Sequence, residues 1–204
     1  MPGFVKARII RGKEAILRKL RLNSTLLLVF VITLLALSVF SASCAPKATL
    51  APGSSLPLAS FTENSVDVSI ALTRDAQGIL FLTATFAPPP DCHLYGKDLP
   101  RTGVDGLGRP TLLELAANSK MQALGALIES VPAVAEDFEL ATLPVYPIGP
   151  VTLSLPVALP AGNEWVEDEV SVTFMACTEN ACKPPVVGKI VQIRVPGADV
   201  LSNP

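Results

Sequence analysis

From Val66 to Val195 the chain is written in short runs of alternating apolar and polar residues. "VDVSIAL" sets Val66, Val68, Ile70 and Leu72 on one face, the period of two that marks a half-buried strand. "TRDAQG" reads as a turn, and "ILFLTATF" (79–86) as the returning strand of a hairpin. "APPPD" breaks the run, "CHLY" (92–95) resumes an extended stretch, and "TLLEL" (111–115) adds another strand. "VTLSLPVAL" (151–159) carries Pro156, which predicts an edge or a bulge. "EVSVTFMAC" and "VVGKIVQIRV" each alternate cleanly and close the pattern.

The stretch 116–145 fits two patterns. "SKMQALGALIES" places Met121, Leu124 and Ile128 at helical spacing, while Gly125 and the surrounding strands favour a loop or irregular strand. Short strands punctuated by Pro and Gly, with no long amphipathic helix, predict an all-β antiparallel sandwich of immunoglobulin-like type.

The N-terminus follows a different pattern. Residues 1–22 hold seven basic side chains against the single acid Glu14, and no charge appears between Arg21 and Lys47. A basic segment, the apolar "LLLVFVITLLALSVF" and then the small residues "SASC" follow the order of an export signal. The uncharged stretch is also long enough to span a bilayer as a helix, which takes roughly 20 residues. "SASC" further resembles a bacterial lipoprotein box, in which Cys44 is lipidated after cleavage. Lipidation at Cys44, an uncleaved anchor and free secretion all send the body of the chain out of the cytoplasm, because the basic flank stays inside. Residues 45–65, rich in Pro, Ser and Ala without periodicity, read as a flexible tether. The expected order is thus 1–44 signal or anchor, 45–65 tether and 66–204 domain.

Charge sharpens the choice of partner. The whole chain is −2, and the first 22 residues contribute +6, so the remainder carries −8. An acidic body argues against nucleic acid and points to protein partners.

Candidate chemistry concentrates in "FMACTENACKPPV". Cys177 ends one predicted strand, Cys182 opens the next, and "TENA" turns between them. Such a hairpin brings two Cα atoms within disulfide range, and an exported location permits the bond. Three readings fit: a structural staple, a redox couple, or a Cu(I) site formed with Met175. A loop this short gains on the order of 2 kcal/mol from its bridge. Other constellations are lacking: one histidine, His93, offers neither a zinc cluster nor a Ser-His-Asp set, and the glycines of "GVDGLGRP" precede no helix and read as a turn.

"VSVTFMACTENACKPPVVGKIVQIRV" resembles the closing strands of the N-terminal extracytoplasmic domain of the thiol:disulfide interchange protein DsbD, where a Cys pair followed by "xPP" sits at the tip of a sandwich. "DCHLYGKDLPRTG" and "YPIGPVTLSLPV" are similar to further segments of that family, so the resemblance spans most of residues 66–196. It implies an immunoglobulin-like electron-transfer domain that exchanges disulfides with thioredoxin-fold proteins and needs no cofactor or metal. By position, Cys182 matches the thiol that forms mixed disulfides and Cys177 the buried resolving thiol. Phe138 matches a cap over the pair, with Glu136 or Asp137 as its acid, and His93 and Tyr95 match two aromatic positions beside it. Cys92 stands where the family often has an aromatic residue and reads as a small buried thiol. Four residues separate the pair here and five in the family. The family's membrane core and C-terminal thioredoxin-like domain have no counterpart in this sequence, so the chain is expected either to work with separate partners, a transmembrane electron donor among the candidates, or to put the fold to another use.

Overall fold

A computed structural model of the protein describes residues 50–138 and 141–201. Cys44 and the expected signal or anchor lie outside the described residues.

Alternation of buried and exposed side chains produces thirteen strands among the described residues, and no helix. One sheet is built from β1 (Ser55–Glu63), β2 (Val66–Arg74), β3 (Leu80–Ala87) and β10 (Val151–Ala158), in that order. The two-residue strands β6 (Gln122–Ala123) and β7 (Ile128–Glu129) pair with the far side of β10. A second sheet runs β13 (Val186–Pro196), β11 (Trp165–Phe174) and β5 (Leu112–Leu115). Two small ribbons complete the set: β4 (His93–Leu94) with β12 (Ala176–Cys177), and β8 (Val134–Asp137) with β9 (Thr142–Val145). Every strand pairing is antiparallel.

The two sheets share one core. Val66, Val68, Ile70 and Leu72 from β2, with Leu82, Ala84 and Phe86 from β3, meet Val170, Val172 and Phe174 from β11 and Val191, Ile193 and Val195 from β13. Phe86 and Phe174 join the sheets ring to ring, their centroids 5.6 Å apart. Each fully buried side chain of this size contributes about 1.5–3 kcal/mol. The β11–β13 hairpin buries several of them, so its packing outweighs a bridge worth on the order of 2 kcal/mol. This is the antiparallel immunoglobulin-like sandwich that the alternation predicts.

Two expectations change, and one open choice is decided. Residues 55–63 are not tether but β1, and Leu50 already packs into the core. A register shift between Pro57 and Ala59 breaks the alternation of β1, which hides the strand from a period-two reading. The described residues of 116–145 contain no helix, and the loop or irregular-strand alternative holds: Met121 is buried, whereas Leu124 and Ile128 are exposed, so the three share no face. Pro156 lies inside a paired strand rather than on an open edge. Its carbonyl accepts from Leu124 N at 2.8 Å, so the side of the residue that lacks an N–H faces the gap between β7 and β6. The β10–β3 ladder therefore loses no bond to the proline.

Candidate functional site

The cysteine hairpin leaves the main sheet before it turns. The β11–β13 register shifts between Val172 and Phe174, and the chain beyond Phe174 pairs instead with β4, Ala176 opposite Leu94 and Cys177 opposite His93. The turn closes on backbone bonds of its own. Thr178 N donates to Ala181 O at 2.8 Å, and Lys183 N donates to Ala176 O at 2.9 Å. The Thr178 hydroxyl accepts from Ala181 N at 3.1 Å, the local side-chain bond that favours Thr at turns.

Cys177 and Cys182 are joined by a disulfide. The two cysteines differ in access: Cys177 is 1% exposed, whereas Cys182 is exposed. Tyr95 marks the same difference, since its phenol O–H donates to Cys177 Sγ at 3.2 Å and lies 4.0 Å from Cys182 Sγ. Tyr95, Leu99, Leu143, Val145 and Cys177 form a small core separate from the main one, with Phe138, Leu107 and Met175 packed against it. Burial pushes the Tyr95 phenol above its ordinary range, so it remains a donor at neutral pH.

Tyr95 is held from two sides. Thr111 Oγ1 donates to the Tyr95 carbonyl at 2.7 Å and Thr111 N to the same oxygen at 3.2 Å. Gly108, at φ 72°, packs under the ring: a Cβ there would lie 3.2 Å from two Tyr95 ring carbons and 2.9 Å from Leu99 Cδ2. The loop read from sequence as a plain turn is therefore a seat for Tyr95, and only glycine fits at that point.

His93 sits across the ladder from Cys177, half-buried, its ring 5.3 Å from Tyr95 in an edge-on arrangement and 5.7 Å from Phe138. Its Nε2 is buried with no hydrogen-bond partner. Burial lowers its proton affinity, and the Glu136 carboxylate partly opposes this. Phe138 is half-buried at the tip of the β8–β9 ribbon, where its N–H donates to Ala141 O at 2.9 Å. A cleft of about 360 Å³ opens beside the disulfide, with Tyr95, Leu107, Phe138 and Leu143 on one wall and the Thr178–Cys182 turn on the other.

The residues expected at the site thus divide. Cys177, Cys182, Tyr95 and Phe138 line one cleft, and His93 joins Tyr95 to Phe138 through its ring. Glu136 and Asp137 are exposed on β8 and line no wall of the cleft. Asp137 instead accepts from Thr142 Oγ1 at 2.6 Å within its own ribbon, and the Glu136 carboxylate raises the proton affinity of His93. Cys92 is a free, buried thiol packed in the main core, pushed up by burial and then by Asp91. Among the described residues no group of three or more His, Cys, Asp or Glu is placed to hold a metal ion.

Chemically, such a bridge is open to attack at one end. An incoming thiolate reaches the Cys182 sulfur, and the departing charge falls on Cys177, beside a phenol donor.

No family model matches the chain, and no curated protein matches it. Among solved structures it is similar to the N-terminal domain of DsbD from Neisseria meningitidis in its reduced form, at 14% identity and a TM-score of 0.38. That match covers 70% of this chain and 85% of the other.

Proposed function

We propose that this chain is an extracytoplasmic thiol–disulfide exchange module that passes reducing equivalents to or from thioredoxin-fold proteins through Cys177 and Cys182. The observation that carries the reading is the asymmetry of the pair: one cysteine buried and hydrogen-bonded by Tyr95, the other an exposed residue at the cleft. The backbone bonds that close the turn support it too, because the hairpin does not depend on the bridge.

In the reduced protein the Cys182 thiolate attacks a partner disulfide, forming a Cys182–partner disulfide and releasing one partner thiol. The Cys177 thiolate then attacks the Cys182 sulfur, which re-forms the Cys177–Cys182 bridge and releases the second partner thiol. Two electrons and two protons have moved from this chain to the partner. A separate dithiol donor, of thioredoxin fold or held in the membrane, runs the same steps backwards to reset the pair. The sulfurs carry both electrons, so the exchange uses no cofactor.

Phe138 shields the pair as a cap, His93 and Tyr95 complete its surround, and Glu136 and Asp137 flank the cap from β8. The N-terminal 44 residues serve either as an export signal cleaved before Cys44, which is then lipidated, or as an uncleaved membrane anchor. Metabolic labelling with a fatty-acid analogue tests that branch: the label is expected in the wild type and lost in Cys44→Ser, and an unlabelled wild type counts against it.

Capture tests the exchange itself. Cys177→Ser is expected to hold a thioredoxin-fold dithiol protein as a stable mixed disulfide through Cys182, whereas Cys182→Ser captures little. Equal capture by both variants, or by neither, contradicts the assigned roles.

A further inference from the structure

The β1–β2 hairpin turns on Asn64 and Ser65, both in the left-handed region at φ 49° and 67°, the two-residue turn suited to a tight antiparallel hairpin. From that tip, Asn64 Nδ2 donates to the carbonyl of Pro184 at 2.8 Å, across to the segment that leads into β13. Pro184 stands two residues after Cys182. The next residues of the hairpin grip the same strand: Lys189 Nζ lies 2.7 Å from Glu63 Oε2 and 5.3 Å from the centre of the Phe61 ring.

The chemistry of "CKPP" makes this contact more than a surface bond. Pro184 and Pro185 carry no N–H, so neither can tie itself to a neighbour as a donor. The two prolines between Lys183 and the start of β13 can accept hydrogen bonds but donate none, and Asn64 takes the carbonyl of Pro184. Upstream, Cys182 is fixed by the Lys183 N–H to Ala176 and by the Thr178 turn. Cys177 needs no such help, being buried and paired with β4.

Resting on the exchange reading above, we infer that Asn64 is a positioning residue for Cys182: it holds the Lys183–Pro184 segment so that, once the bridge opens, the Cys182 thiol stays opposite Cys177. Intramolecular closure depends on how much of the time the two sulfurs are within reach. Whatever favours the apposed geometry favours the disulfide, and disulfide formation favours the Asn64 bond by the same factor. The N-terminal hairpin thereby sets how strongly the pair prefers the oxidised form.

The test uses the purified full-length chain in glutathione buffers of graded ratio. Opening the bridge consumes two glutathione thiols and yields one glutathione disulfide and the two cysteine thiols. The fraction opened is read by alkylation and mass spectrometry at the peptide that carries Cys177 and Cys182. Asn64→Gly keeps the left-handed turn and removes the amide, and Asn64→Asp keeps the size and removes the donor. Lys189→Met removes the neighbouring ion pair without touching Pro184.

Both Asn64 variants are expected to shift the equilibrium toward the dithiol by roughly three- to tenfold, the range for one lost hydrogen bond. The thermal midpoint of the oxidised form is expected to fall by no more than about 5 °C, the same lost bond read as stability, and Lys189→Met to move the equilibrium less than about twofold. A wild type that exchanges, with both Asn64 variants unmoved, overturns the positioning role alone. So does an equal shift in Lys189→Met, which marks general loosening of the hairpin. A wild-type bridge that never exchanges overturns the redox reading, and this inference with it.

Discussion

The Tyr95 phenol donates to the sulfur of Cys177 at 3.2 Å and stands 4.0 Å from that of Cys182. The donor thus sits on the buried member of the pair, where charge gathers when the exposed member is attacked. A hydrogen bond to a charged acceptor contributes about 1.5–3 kcal/mol, twice or more that of a neutral one.

Tyr95→Phe keeps the ring that packs against Gly108 and removes only the hydroxyl. Reduction of the bridge by a dithiol is expected to slow by roughly tenfold or more, with the fold intact. Stopped-flow kinetics at several dithiol concentrations, alongside a thermal melt, measure both. An unchanged rate removes Tyr95 from the mechanism.

His93 gives the domain a pH dependence whose sign follows from its setting. Burial lowers its folded-state proton affinity below the ordinary value near 6.5, and Glu136 opposes this only in part. Between the folded-state value and 6.5 the unfolded chain binds more protons than the folded one, so stability rises with pH there. The contribution is complete above the unfolded value and is lost as the pH falls through 6.5 toward the folded one. Urea unfolding at pH 7 and pH 5 is expected to show a loss on acidification that is smaller in His93→Phe. Equal losses in both proteins assign the acid sensitivity to other groups.

The strands were legible where one face is buried and the other is not, because a period of two then survives in the sequence. In β2 the residues Val66, Val68, Ile70 and Leu72 are all buried, and the pattern follows directly. It failed where geometry broke the period, as in β1 with its register shift near Pro57. At 116–145 the pattern left helix and irregular strand both open, because Leu124 and Ile128 lie exposed on the short strands and turns that flank β10 and mark no buried face. The cysteine pair and its neighbours Tyr95 and Phe138 were legible through family likeness and local spacing. The seat that Gly108 makes for Tyr95, and the Asn64 contact with Pro184, join segments far apart in sequence. Nothing in either segment read alone signals them. Asp137 stands beside Phe138 as its place in sequence suggests, and its carboxylate accepts from Thr142 across the β8–β9 ribbon.

The most direct measurement is whether the bridge opens while the domain stays folded. The full-length chain is held in thiol–disulfide buffers spanning about −150 to −350 mV, with the Cys177–Cys182 state and the β-sheet circular dichroism followed together. The account predicts a reversible two-electron midpoint above about −300 mV with the sheet signal constant. The thermal midpoint is expected to fall by only roughly 4–8 °C on reduction, what a bridge of this loop length contributes in a domain of this size. A bridge that persists until the sheet signal is lost makes Cys177 and Cys182 a staple and contradicts the account.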